Sequence, residues 1–141
     1  MGKAQKENVS KIRKYLMKGL YLLTFIGVGY QAWAEVIAPE TPLETIDGIV
    51  YSFWVAYATL MALGLRYPLK MVPLLLLQLF YKAVWILGVY LPMERNELVT
   101  ESAEGFLTVC ITAIILDVLI IPWKYVYHTF LKNLFRFNPD T

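Results

Sequence analysis

Four long apolar runs divide this chain, at about residues 15–37, 46–65, 71–91 and 105–127. Each holds roughly twenty residues or slightly more, the length a helix needs to cross ~30 Å of hydrocarbon. In lipid, every backbone polar group must be bonded internally, so only helices and closed barrels can span. The runs lack the in-out alternation of barrel strands, which leaves helices. The expected fold is all-α: an integral membrane four-helix bundle forming a single domain over residues 1–141. Charged residues make up 17% of the chain, against about one quarter in soluble domains, and most lie between the apolar runs.

The charges also predict an orientation. Lys3, Lys6, Lys11, Arg13, Lys14 and Lys18 precede or enter the first run, and Arg66 and Lys70 join the second to the third. Lys124, Lys132 and Arg136 end or follow the fourth, so eleven of the thirteen bases share one side. The other loops carry Glu35, Glu40, Glu44 and Asp47, then Glu94, Glu97, Glu101 and Glu104, with Arg95 as their one base. The positive-inside bias therefore puts both termini and the Arg66–Lys70 loop in the cytoplasm. Tyr30, Trp33 and Tyr90 fit the outer headgroup level, and Tyr67, Trp123, Tyr125 and Tyr127 the inner one. The start of the chain also mimics a cleavable signal, with Ala32-Trp33-Ala34 as its A-x-A site. Cleavage would leave three spans, but the long basic region favours an uncleaved first helix.

Several function classes lack their chemistry here. One cysteine, Cys110, allows neither an intrachain disulfide nor a dithiol redox centre, and one histidine, His128, cannot build a multi-histidine metal site. The net charge of +2 is too small and too segregated for nucleic-acid binding. No nucleophile–base set or phosphate loop is visible, so the expectation is a non-enzyme without cofactor.

The informative residues are the polar ones inside the runs. Lys82 sits near the middle of the third run, where a charge costs roughly 2.5–3.5 kcal/mol on insertion scales. Asp117, in the fourth, falls at a similar depth if that run spans 105–127, and a Lys82–Asp117 pair is expected. Such a pair could lock helix register or belong to an ion pathway. Gln78 and Trp85 share a helical stripe with Lys82 and complete the candidate intramembrane polar site. At the outer end, Gln31, Glu35, Glu44, Asp47 and Tyr51 could form an acidic vestibule, although solvated helix ends explain them as well. Pro122 should kink the fourth helix and free the carbonyl of Val118. Ala58 with Ala62, and Gly27 with Gly29, would allow close helix packing. Cys110 and Thr112 read as packing residues, and His128 as interfacial.

Both cytoplasmic tails read as basic amphipathic helices attracted to anionic lipid. The first carries Val9, Ile12, Leu16 and Leu20, and the second Val126, Phe130, Leu131, Leu134 and Phe137. The partners this implies are the bilayer itself, anionic lipid at the cytoplasmic face, and a second copy or a membrane-complex subunit.

The segment Leu65–Pro92, LRYPLKMVPLLLLQLFYKAVWILGVYLP, resembles a group of small bacterial four-helix membrane proteins of unassigned activity. The likeness rests on R-Y-P-x-K-M-x-P-L-L, a polar residue at Gln78, and the Lys82–Trp85 pair. Ile121–Tyr125, IPWKY, has a similar look, and the general outline resembles that of DoxX-like proteins. The resemblance implies a bacterial inner-membrane protein and carries no activity. The expected role is an accessory or scaffolding subunit. The alternative is a small transporter or ion-coupled protein using Lys82, Asp117 and Gln78.

Overall fold

The computed structural model describes residues 9–132 and 134–135. Four long helices account for most of it: α1 (Lys11–Ile37), α2 (Thr45–Arg66), α3 (Val72–Arg95) and α4 (Glu101–Ile120). All four are long and apolar enough to cross a membrane. A short α5 (Trp123–Val126) follows and runs on into a π-helical turn, Tyr127–Leu131. Four such helices suggest an integral membrane protein. The exterior fits, since Leu23, Ile26, Ile49, Phe80, Leu87, Ile115 and Leu119 are all exposed while Gln78, Lys82 and Asp117 are buried. In water, that much exposed apolar surface would drive aggregation.

Helix ends follow local chemistry. Ser10 caps α1 by accepting a hydrogen bond from the Arg13 backbone N–H at 3.2 Å, and Thr100 caps α4 through the Ala103 N–H at 3.2 Å. In α3, Pro92 has no N–H to return to the carbonyl one turn back, and its ring crowds that carbonyl. The helix widens just before it into a π-helical turn over Ile86–Tyr90. The chain then leaves α3 through Glu97, which takes the left-handed conformation at φ 55°. There the Leu98 N–H reaches back to the Met93 carbonyl at 2.9 Å, the six-to-one bond of a Schellman ending.

α1 and α2 pack along most of their length, α3 packs against α4 and α2, and α4 also meets α1, which closes the bundle. The α1–α2 seam depends on small residues. Gly29 faces Ala58, whose Cβ would lie 3.6 Å from a Cβ placed on the glycine. Gly64 lies directly beneath the ring of Tyr21 and has no room for a Cβ. Tyr21 crosses α2 there and donates its hydroxyl hydrogen to the Pro68 carbonyl at 2.7 Å. Gly27 has open space around it and takes no part in the seam.

The apolar core lies towards the end of the bundle that carries the basic residues. It is built from Met17, Leu20 and Tyr21 of α1, Tyr57 and Met61 of α2, Leu69, Val72 and Leu75, and Ile120, Ile121 and Val126. Towards the acidic end, packing passes to rings. Phe106 of α4 meets Trp85 of α3 at 4.6 Å and Trp54 of α2 at 6.3 Å, centroid to centroid.

Two expectations change here. The fourth helix ends at Ile120 rather than continuing with a kink to residue 127. Pro122 is preceded by an extended Ile121 (ψ 128°), as steric conflict with the proline ring favours. The carbonyl of Val118 is not left free, because the Trp123 indole N–H donates to it at 2.7 Å. The N-terminal tail, from Lys11 onwards, is not a separate surface helix but the first turns of α1. Val9 and Leu20 are buried while Ile12 and Leu16 are 73% and 50% exposed, so these four do not share one buried face. In the second tail, Val126 is buried and Leu131 and Leu134 are exposed; Phe137, Arg136, Lys3 and Lys6 lie outside the described residues.

Candidate functional site

The buried polar residues converge in one layer to which every long helix contributes. Thr24 comes from α1, Tyr57 from α2, Gln78 and Lys82 from α3, and Asp117 from α4. Gln78 is the hub. Its Oε1 accepts hydrogen bonds from the Thr24 hydroxyl at 2.9 Å and the Tyr57 hydroxyl at 2.7 Å. Its Nε2 donates to both carboxylate oxygens of Asp117, at 2.9 and 3.0 Å. This orientation of the amide suits an ionised carboxylate, which accepts and cannot donate, while the hydroxyls supply donors on the other side. Asp117 is 0% exposed, Gln78 2% and Lys82 5%.

The hydrogen-bond donor to the Asp117 carboxylate is Gln78 rather than Lys82. The cause is the early end of α4. Asp117 is three residues from that end, roughly 5 Å along the axis. Gln78 is six residues from the start of α3, roughly 9 Å, whereas Lys82 is ten, roughly 15 Å. The helices run antiparallel, so Asp117 comes level with Gln78, and Lys82 stands one turn further in. The Lys82 ammonium lies 5.7 Å from the centroid of the Tyr81 ring, within cation–π range. Tyr81 in turn meets Tyr57 edge to face at 6.1 Å. Among the described residues, no fully buried side-chain nitrogen or oxygen lacks a hydrogen-bond partner.

Trp85 shares the helical stripe of Gln78 and Lys82 but belongs to different chemistry. It packs in the aromatic cluster with Phe106 and Tyr90 and so covers the polar layer on the acidic-end side. The residues of the expected outer vestibule, all described, are not joined to one another by any side-chain hydrogen bond. Gln31, Glu44 and Asp47 are exposed and Glu35 is half-buried. Glu44 and Asp47 flank the start of α2, where negative charge favours the helix dipole. Tyr51 stacks edge-on against Trp54 at 5.7 Å. Cys110 is buried on α4, and the hydroxyl of Thr112 bonds its own helix at the Thr108 carbonyl, 2.9 Å away.

Sequence reasoning missed Thr24 and Tyr57. Thr24 carries the one hydroxyl of α1 between Tyr21 and Tyr30, and it lies mid-run, the same signal that singled out Lys82. Tyr57 gives a weaker signal, because its ring is largely apolar and tyrosines of membrane helices favour the headgroup level. Among the described residues, no group of three or more histidine, cysteine or acidic side chains could hold a metal ion.

Comparison with known protein families, with curated proteins and with solved structures finds no match to this chain.

Proposed function

We propose that this chain is a non-catalytic four-helix protein of a bacterial inner membrane, with both termini cytoplasmic, serving as an accessory or scaffolding subunit. The observation that carries this reading is the Gln78 layer. Four helices meet there through side chains that bond one another. Side-chain hydrogen bonds between helices act as specific glue in lipid, where there is no hydrophobic drive to bring helices together. A layer that uses Gln78 on three partners from three other helices defines one register and one arrangement. Gln78 and Asp117 are buried and their amide and carboxylate groups are bonded within the layer, which supports assembly over passage. The charge segregation supports the cytoplasmic termini, and the resemblance over Leu65–Pro92 supports the bacterial inner membrane.

A second reading, ion-coupled transport, draws on one observation: Lys82 and Asp117 are buried about one helical turn apart in level. Vesicles separate the two. With purified protein reconstituted, an imposed proton gradient should decay as slowly as in protein-free vesicles. Native membranes solubilised in mild detergent should yield the chain bound to a second copy or to another membrane subunit. Faster decay in the wild type, abolished by Asp117→Leu, would overturn the scaffolding reading in favour of transport.

A further inference from the structure

The bundle carries a second polar feature, unconnected to the Gln78 layer. A cavity of about 560 Å³ opens at the basic end, between the start of α1 and the segment after α4. Its walls combine Arg13 and Ser10 with Lys124, His128 and Thr129, backed by Trp123 and Tyr125. Arg13 is fixed in place, since one of its guanidinium nitrogens donates to the Ile121 carbonyl at 3.3 Å. That contact holds the cation at the C-terminal end of α4, where the helix dipole favours it, and leaves the other donors of the fork for a ligand. The described carboxylates other than Asp117 all belong to the opposite end of the sequence pattern, and Asp117 is bonded to Gln78 in the core. Arg13 and Lys124 therefore line a concavity with no described acid beside them.

We propose that this cavity binds the phosphate-bearing headgroup of an anionic phospholipid. The inference rests on the bundle spanning a bilayer, and on neither its sidedness nor its scaffolding role. Three features favour a lipid over a free anion. The cavity has the volume of a small-molecule site, several times that of one phosphate. It opens where the long helices end, at headgroup level, with Trp123 and Tyr125 on its wall, ring types that favour this depth. Beside it, Tyr127 and Leu131 are exposed and supply an apolar surface against which an acyl chain can lie. Basic pockets between membrane helices are suited to anionic headgroups, and the apolar surface beside this one contacts the same molecule's acyl chain.

The test is protein purified in detergent and transferred to nanodiscs of phosphatidylcholine, with or without phosphatidylglycerol, read by thermal unfolding and by native mass spectrometry of retained lipid. Phosphatidylglycerol should raise the unfolding temperature of the wild type and remain bound. In Arg13→Gln with Lys124→Gln, retention should weaken roughly 30-fold, from two lost cations at the usual strength of a base near anionic lipid. Lys11→Gln with Lys70→Gln removes the same charge at the same end but outside the cavity, and should retain lipid as the wild type does. Because Arg13 also caps α4, Lys124→Gln with His128→Gln serves as a pair that leaves that cap intact, and it too should lose lipid selectively. Equal losses in the cavity and control pairs would overturn the site in favour of diffuse surface attraction. Protection by millimolar inorganic phosphate as strong as that by phosphatidylglycerol would overturn the lipid assignment. So would a cavity that gains phosphatidylglycerol binding only when residues 2–8, which include Glu7, are deleted, since the chain itself would then be the occupant.

Discussion

Gln78 shows how one amide can organise four helices. It accepts from α1 and α2 and donates to α4, so replacing it strands three groups at once. Gln78→Leu leaves the Asp117 carboxylate buried without a donor, and removing one member of a buried charged contact typically costs roughly 3–5 kcal/mol in soluble proteins. In a membrane the loss should be smaller, because measured interhelical hydrogen bonds there average about 0.6 kcal/mol. The expected outcome of a double-mutant cycle on unfolding in detergent, with Gln78→Leu, Asp117→Leu and both, is strong non-additivity, the double variant being less damaged than the two losses summed. The same cycle with Lys82→Met in place of Gln78→Leu should be closer to additive. A larger coupling for Lys82 than for Gln78 would show that the ammonium, not the amide, is the partner of Asp117. The polarity of these positions was legible in the sequence; the identity of the pair was not. Depth estimates are only as good as the helix boundary they start from, and α4 ends at Ile120, about two turns before the residue 127 read from hydropathy.

At the scale of elements, the α1–α2 seam makes the clearest demand. Gly64 lies under the Tyr21 ring, which the bond to Pro68 holds in place. Gly64→Ala should therefore destabilise the bundle even though alanine is the better helix former, by about 1–3 kcal/mol, the usual cost of overpacking. Gly27→Ala, on the same seam's helix but in open space, should be neutral or slightly stabilising. Thermal unfolding of the two variants side by side checks this, and equal behaviour would mean that Tyr21 does not pack over Gly64. Small residues in the first two spans were readable as a packing signal. Which of Gly27 and Gly29 met the neighbour depended on helix rotation, and Gly64 gave no sign because its partner is a large ring from another helix. The π-helical turn before Pro92 is similar: the proline was visible, but whether the helix would stop, kink or widen is decided by what packs around it.

For the whole molecule, hydropathy and charge point to the same topology by independent routes, which is why the four helices were readable before any geometry. Apolar runs locate the spans through the cost of unbonded backbone in lipid, while lysine and arginine locate the loops through the positive-inside bias. The helices at Lys11–Ile37, Thr45–Arg66, Val72–Arg95 and Glu101–Ile120 agree with that division, and their ends put the basic and acidic loops at opposite ends of the bundle. If the bundle spans the inner membrane with its basic end in the cytoplasm, reporter fusions within Arg66–Lys70 and at residue 141 should give cytoplasmic signals. Fusions within Pro39–Pro42 and Glu94–Thr100 should give external ones. Adding bases tests the cause as well as the outcome. Glu40→Lys with Glu44→Lys weakens the charge asymmetry across the first two spans, so a fraction of molecules should invert, or the mixed population should be degraded. Unchanged reporters in that variant would mean that the short α2–α3 loop and the tails dominate insertion. Cytoplasmic signals from both acidic loops of the wild-type chain would invert the orientation, and a cytoplasmic signal from one but not the other would overturn the four-span topology itself, because two loops separated by an even number of crossings must share a side.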